Sequence, residues 1–388
     1  MAWREAANPA KAMFAVATIC LVVFAFVDTG DDATIRSSVP SSVDLHEIAQ
    51  IRFDRSPLGL DTLVDVAWSP NGRRLALAFD GGRKVVVLDT STWRPVSHFE
   101  RQEPDAMSRL AFLTDSELVV APFRNISNSS MAFAVYEIET GRSIKEIARD
   151  PEWKFAPAAK IAITSSGKYI ALLVAQGIWM PVLYDSVTGA FMGQIGPSID
   201  AGSRALTVGP RDRVAIDVTH YVDRAKAVVQ TEIQIIDTAT NKTDRIISGR
   251  IPVVDSLAWS ADGRWIASGG SYLGGDGKGG RVRDPDCIHI WDATTGELVT
   301  SFAGKYDPIE RIAWHPSKPI IATASAKGGD EERGSAVHLW SVDRKEMLFE
   351  YKTPGVGEID ALSFDPHTGH LVWGSNGSLH VFEVEGLP

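Results

Sequence analysis

Two short sequence units alternate along this chain, and their alternation restricts the fold more than any other feature. The first is an apolar strand that ends in a small residue and then a bulky one. It reads VDVAWSP, SRLAFLT, AKIAITS, RALTVGP, DSLAWSA, ERIAWHP and DALSFDP, with bulky positions at Trp68, Phe112, Ile163, Val208, Trp259, Trp314 and Phe364. The second is a strand that closes in an aromatic or aliphatic residue, commonly an acid, and a turn. Its key positions are Leu88, Tyr136, Tyr184, Ile236, Trp291, Trp340 and Phe382. Both series advance by about 40–55 residues, the length of one four-stranded propeller blade. Stacked repeats share a continuous core, so a chain of 388 residues need not divide into two or three globular domains.

Turn chemistry agrees with this reading. Asn71-Gly72, Ser166-Gly167, Asp262-Gly263 and Thr368-Gly369 fall between the first and second strands of their repeats. Thr140-Gly141, Thr188-Gly189 and Thr295-Gly296 fall between the third and fourth. Glycine accepts the positive φ that tight hairpins demand. Past the first thirty residues no segment carries a helical period.

At these residues the chain resembles the WD-repeat family. LAWSADGRWIASGG followed by IHIWDATTGE, and IAWHPSKPIIATAS followed by VHLWSVD, carry the resemblance best, and it extends from Asp44 to the C-terminus. It implies an all-β, seven-bladed propeller. One departure stands out: the family's Gly-His pair is replaced by Gly249-Arg250 and Gly304-Lys305. The buried His–Ser–Trp hydrogen-bond chain of standard repeats is therefore not assumed, and related propellers outside the family stay open. The last repeat stops after its third strand, while LHEIAQIRF, Leu45–Phe53, is surplus at the front. Placed as the outer strand of the seventh blade, it joins the two ends of the ring. Simple alternation then points Leu45, Glu47, Ala49, Ile51 and Phe53 at a neighbouring blade, and His46, Ile48, Gln50 and Arg52 at solvent.

The N-terminus carries a targeting signal. Ala12–Val27 is apolar or small throughout except for Thr18, with Arg4 and Lys11 before it and Asp28, Asp31 and Asp32 after it. That asymmetry places the bulk of the chain outside the cytoplasm. A cleaved signal peptide and an uncleaved anchor both fit, and the lack of a small-residue pair at the exit favours the anchor. The expected organisation is a hydrophobic helical signal-anchor over 1–27, a flexible linker over 28–43 and a propeller over 44–388.

Charge and composition narrow the function. A formal net charge of -10 repels a phosphate backbone, so nucleic acid is a poor partner. With Cys20 inside the apolar run, Cys287 is a lone thiol, which excludes a disulfide scaffold and a cysteine-held zinc. No nucleophile elbow or paired metal-ligand spacing is present, so neither catalysis nor a metal or cofactor is expected. His289, His338 and His380 recur at matching positions and read as repeat-structural. The longest connections, Pro122–Ser130, His220–Ala227, Gly269–Pro285 and Ser325–Gly334, crowd one face, where loops on a rigid scaffold favour binding.

Two candidate binding features follow. Arg109, Lys160 and Arg204 precede the bulky position of the first strand in repeats two to four, and Asp255, Glu310, Asp360 and Asp65 do so in the others. This predicts a channel rim with a basic arc and an acidic arc, with Arg311 able to pair with either neighbouring acid. Trp153 and Phe155 are candidate interface aromatics. The resulting expectation is a non-enzymatic scaffold that binds protein partners on the outer side of a membrane, periplasmic in a bacterium and secreted if the segment is cleaved. The alternative is a propeller enzyme or small-molecule binder of the lactonase or amine-dehydrogenase kind.

Overall fold

The second strand of each repeat has to be apolar on both faces, because a blade is sandwiched between two others. In blade one this strand, Arg74–Phe79, turns Leu75, Leu77 and Phe79 to one side and Ala76 and Ala78 to the other. The small Ala76 and Ala78 thus meet the larger Leu118 and Val120 of blade two, the kind of size matching that close packing requires. The computed structural model describes residues 25–28, 33–35, 43–53, 63–79, 84–100, 108–122, 131–148, 158–175, 178–199, 205–223, 225, 228–270, 272–275, 281–283, 286–303, 308–326, 335–352, 359–375 and 377–388. These form seven antiparallel sheets around a ring. Blade one comprises Leu63–Trp68, Arg74–Phe79, Lys84–Asp89 and Arg94–Glu100 in sequence order. The first strands of blades two to seven are Ser108–Phe112, Ala158–Ile163, Leu206–Gly209, Val254–Trp259, Ile309–Trp314 and Ile359–Phe364. Each lies against the next and the last against the first. A separate hydrophobic cluster fills every junction between blades.

Ring closure follows the expected route, with one change. Asp44–Phe53 pairs antiparallel with Ser378–Glu385 as the outer strand of blade seven. The pairing register shifts between Glu47 and Ala49, so Ile48 is an inserted residue. That bulge inverts the facing pattern. Leu45 packs in the cluster shared with blade six, whereas Ala49, Ile51 and Phe53 pack in the one shared with blade one. Ile48 leans on the blade-one cluster, contrary to the solvated position that simple alternation assigns it. His380 Nδ1 lies 2.7 Å from Glu47 Oε1, and His46 Nε2 3.3 Å from Glu385 Oε2, so two His–Glu pairs span the seam.

Beyond the closing strand, Ala25–Asp28 pairs with Gln50–Phe53 and Ala33–Ile35 pairs with Leu45–Glu47. Residues 25–27, expected to end the hydrophobic helix, are strand, and 28 and 33–35 fall in the predicted linker; the rest of the expected helix lies outside the described residues. Among the described residues no helix is long and apolar enough to cross a membrane.

Turn geometry bears out the glycine pattern. Gly72, Gly167, Gly263 and Gly369, and likewise Gly141, Gly189 and Gly296, all have positive φ between 65° and 79°. Where a repeat lacks its glycine, Trp93, Arg211, Asp212, Asn241 or Lys345 takes the same left-handed conformation. Half of the family's polar chain persists despite the missing histidine. Trp291 Nε1 donates to Ser268 Oγ at 2.9 Å and Trp340 Nε1 to Thr323 Oγ1 at 3.0 Å. In the interior His289 stacks on Trp291 and His338 lies tilted against Trp340, a structural placement.

Candidate functional site at the channel entry

The first strand of every blade has no strand beside it on its axial side. A bare strand edge leaves backbone groups to be satisfied by something other than a ladder. Side chains of the predicted rim do part of that work. Arg109 donates from Nε to the carbonyl of Ala159 in blade three and from Nη1 to that of Val64 in blade one, both at 3.0 Å. One guanidinium therefore ties three blades together. Asp65 Oδ2 accepts the backbone N–H of Leu110 in blade two at 2.9 Å. Ser256 repeats that bond between blades five and six, its Oγ accepting from Ile312 N at 3.1 Å.

Arg311 acts like Arg109 on the far side of the ring. It donates from Nε to the carbonyl of Asp360 at 2.8 Å and from Nη1 to its own neighbour's carbonyl, Glu310, at 2.9 Å. The expected pairing with the Glu310 or Asp360 carboxylate is thus replaced by bonds to their carbonyls. The reason is the register of the inner strands. Pairing shifts by one residue at Val64, Ala159, Asp255, Glu310 and Asp360. Bulged residues break the ladder and leave local backbone groups to find other partners. Arg109 and Arg311 cap four of these five bulge carbonyls.

The bulges also rearrange the predicted rim. Asp65, Arg109, Lys160, Ser256 and Arg311 share one register, three residues before the bulky position, while Asp255, Glu310 and Asp360 sit on the bulge one residue earlier. Arg311 stands among the acids of blades five to seven, so the charges do not divide into a basic and an acidic arc. The alignment of repeats on the bulky residue carries this signal; treating offsets of three and four as equivalent hides it. Arg204, Trp153 and Phe155 lie outside the described residues. Of the four long connections, two contain further strands: His220–Asp223 continues a long strand of blade four, and Tyr272–Gly275 pairs with Arg281–Arg283 in blade five.

Electrostatics single out Lys160. Protein crowds its amine from several blades, although water still reaches it along the channel. Burial, then the positive charges of Arg311 and Arg109, push its pKa down to about 7, against the pull of Asp65 and Asp255. Burial also lowers Arg109. No hydrogen bond or ion pair holds the Lys160 ammonium among the described residues. Among the same residues, no cluster of three or more His, Cys, Asp or Glu side chains is placed to hold a metal.

Comparison with known proteins agrees with the propeller fold. A model of the family described as WD domain, G-beta repeat, matches residues 245–278, from the last strand of blade four into blade five. The chain is similar to the Retinoblastoma-binding protein 5 homolog of Drosophila melanogaster, 22% identical over 307 residues, which are 77% of this chain and 55% of that protein. Shorter matches join it to Protein RBL of Arabidopsis thaliana, 34% identical over 88 residues, 23% of this chain and 13% of that one. Another is Ribosome biogenesis protein erb1 of Aspergillus niger, 32% identical over 78 residues, 20% of this chain and 8% of that one. The chain thus spans about half the length of the first of these relatives and far less of the other two.

Proposed function

The chain belongs to the WD-repeat family, and on that premise we propose that it is a non-enzymatic protein-interaction scaffold displayed on the outer side of a membrane. The observation that carries the interaction reading is the channel entry, where a closed seven-bladed ring holds Lys160 without a protein partner beside Arg109 and Arg311. A rigid ring presents such a group without paying for loop ordering on association. One relative is named for binding another protein, which agrees with a recognition role here. The membrane part of the reading rests on the apolar run Ala12–Val27 and the charges that flank it.

Affinity capture from the native membrane tests the scaffold. Wild-type protein should retain a defined partner, and Lys160→Glu should release it while the far-ultraviolet spectrum stays that of a sheet protein. A partner held equally by both proteins would remove the channel entry from the interface. A metal or small molecule retained through purification, with no protein partner, would replace the scaffold with the enzyme reading.

A further inference from the structure

The outer strand of blade seven is built unlike those of the other blades. Asp44–Phe53 has ten residues, whereas the outer strands of blades one to six have four to seven. A long edge leaves many backbone N–H and C=O groups without a ladder, and it templates the addition of another strand. Here the chain itself makes that addition. Ala25–Asp28 pairs with Gln50–Phe53 and Ala33–Ile35 with Leu45–Glu47, so this sheet has six strands where the described sheets of the other blades have four. The added strands skip Ile48 and Ala49, at the bulge, so the edge takes two short strands rather than one long one.

The Gln50–Phe53 half of the edge sets what an added strand must carry. Ile51 and Phe53 turn into the junction with blade one, where the Phe53 ring meets that of Phe79 at 4.8 Å between centroids. Arg52 is exposed and donates to Gln50 Oε1 at 3.1 Å, so the alternate residues face outward. Residues directly opposite each other in a pair share one face of the sheet. An added strand therefore needs apolar residues opposite Ile51 and Phe53, and an acid suits the place opposite Arg52. Ala25–Asp28 meets the first need, with Val27 opposite Ile51 and Ala25 opposite Phe53, but it sets Phe26 opposite Arg52.

A membrane span requires the same residues. A helix over residues 12–24 reaches only about 20 Å at ~1.5 Å per residue, against the ~30 Å of a hydrocarbon core. Ala25–Val27 lengthens it, and those residues cannot serve the span and the strand together.

We propose that the Gln50–Phe53 edge is a strand-addition surface for a partner polypeptide, closed in cis by Ala25–Asp28 and opened when the apolar run spans a bilayer and withdraws that strand. The partner it fits is an extended segment antiparallel to Gln50–Phe53, apolar at alternate positions and acidic opposite Arg52. Main-chain hydrogen bonds then supply affinity, and the alternate side chains supply selectivity. The release rests on the membrane reading of the N-terminus, whereas the edge exists or fails without it.

Phe26 and Arg52 are register partners, and Cα atoms so paired lie about 4.5–5.5 Å apart, within reach of a disulfide. The full chain with Phe26→Cys, Arg52→Cys and Cys20→Ser is reconstituted in vesicles of short-chain or long-chain phosphatidylcholine; Cys287 is buried and does not compete. A thicker bilayer demands a longer span, so the introduced disulfide should form about tenfold more slowly in the long-chain vesicles. Adding Ile19→Arg and Val22→Arg, which bar insertion, should restore it whatever the lipid. The open edge is probed with a fluorescent peptide of residues 25–30, AFVDTG, and its Phe26→Glu form. The wild-type chain in long-chain vesicles should bind the acidic peptide about threefold tighter, and Arg52→Glu should reverse that order. A disulfide that fails to form when insertion is barred would overturn the cis strand, and equal rates in the two lipids would overturn its release. Peptides that do not bind, or that bind without regard to Arg52, would overturn the acceptor edge. A mature chain that has lost the apolar run overturns the membrane reading and the release with it; if that chain binds the acidic peptide through Arg52, the edge stands.

Discussion

Lys160 and His315 are both buried bases whose pKa is lowered, yet they act on opposite limbs of the pH–stability curve. Lys160 is pushed to about 7 in the folded chain from 10.5 unfolded, so its charged form is disfavoured by folding. The full penalty holds below pH 7 and is relieved as pH rises from 7 toward 10.5. Lys160→Met should therefore melt above wild type near pH 6 in anion-free buffer. That advantage should shrink by up to about 1.4 kcal/mol per pH unit above pH 7, a trend that urea titrations at stepped pH will show or refute. His315 caps a turn of blade six, its Nδ1 accepting from Ser317 N and Lys318 N at 3.2 Å. Burial, with Lys318 adding to it, brings its pKa to about 4 from 6.5. The neutral ring is at home above pH 6.5, and stability is lost as pH falls from 6.5 to 4, at no more than about 1.4 kcal/mol per pH unit. His315→Asn keeps an acceptor and cannot titrate, so its melting temperature should fall less than wild type's over that range. Arg109→Met strips two bulge carbonyls of their donor and should cost about 2–4 kcal/mol in urea unfolding, less if channel water substitutes. Reversal of Arg109 to Glu is for the same reason a folding mutation before it is a binding one.

At the scale of elements, the closing strand decides whether the ring is a ring. It contributes Leu45, Ala49, Ile51 and Phe53 to two different junctions, blade six with seven and blade seven with one. Burying each large apolar side chain stabilises by roughly 1.5–3 kcal/mol, and a domain is held by only about 5–15 kcal/mol. A chain beginning at Pro57 should aggregate or melt far earlier than one beginning at Ser41; equal melting temperatures would refute the closure. Its position was legible from bookkeeping alone, one strand missing at the end and one surplus at the front. Its facing was not, because nothing in LHEIAQIRF marks Ile48 as the inserted residue. The bulges of the inner strands were hidden in the same way, and with them the partners of Arg311.

For the whole molecule, the apolar N-terminal run is drawn on in two ways. The strand Ala25–Asp28 and a membrane span compete for Ala25–Val27. With the strand formed, residues 12–24 reach only about 20 Å at 1.5 Å per residue, against the ~30 Å of a hydrocarbon core. The strand pairs at the Phe53 end of the closing strand, the end from which the chain enters blade one. We expect the segment to stay attached and the propeller to lie outside the cytoplasm. Protease added to spheroplasts should then remove the propeller, and a protected domain would refute that topology. A mature chain starting near Thr29 would refute the attachment.

The number of blades, the order of strands, the turns and the closing strand were determined by the sequence itself. Each follows from local rules, a two-residue alternation, a glycine at positive φ or a recurring bulky residue, that act within a few neighbours and repeat seven times. The channel entry was decided only by tertiary structure. Asp65, Arg109, Lys160 and Arg311 come from four blades, and Asp65, Arg109 and Arg311 each bond a group 45–50 residues away in the chain. Whether a donor there is bound to a carbonyl, as in Arg109, or not, as in Lys160, depends on which bulge carbonyl faces it. That is fixed by how seven blades close around one axis, which no single repeat encodes.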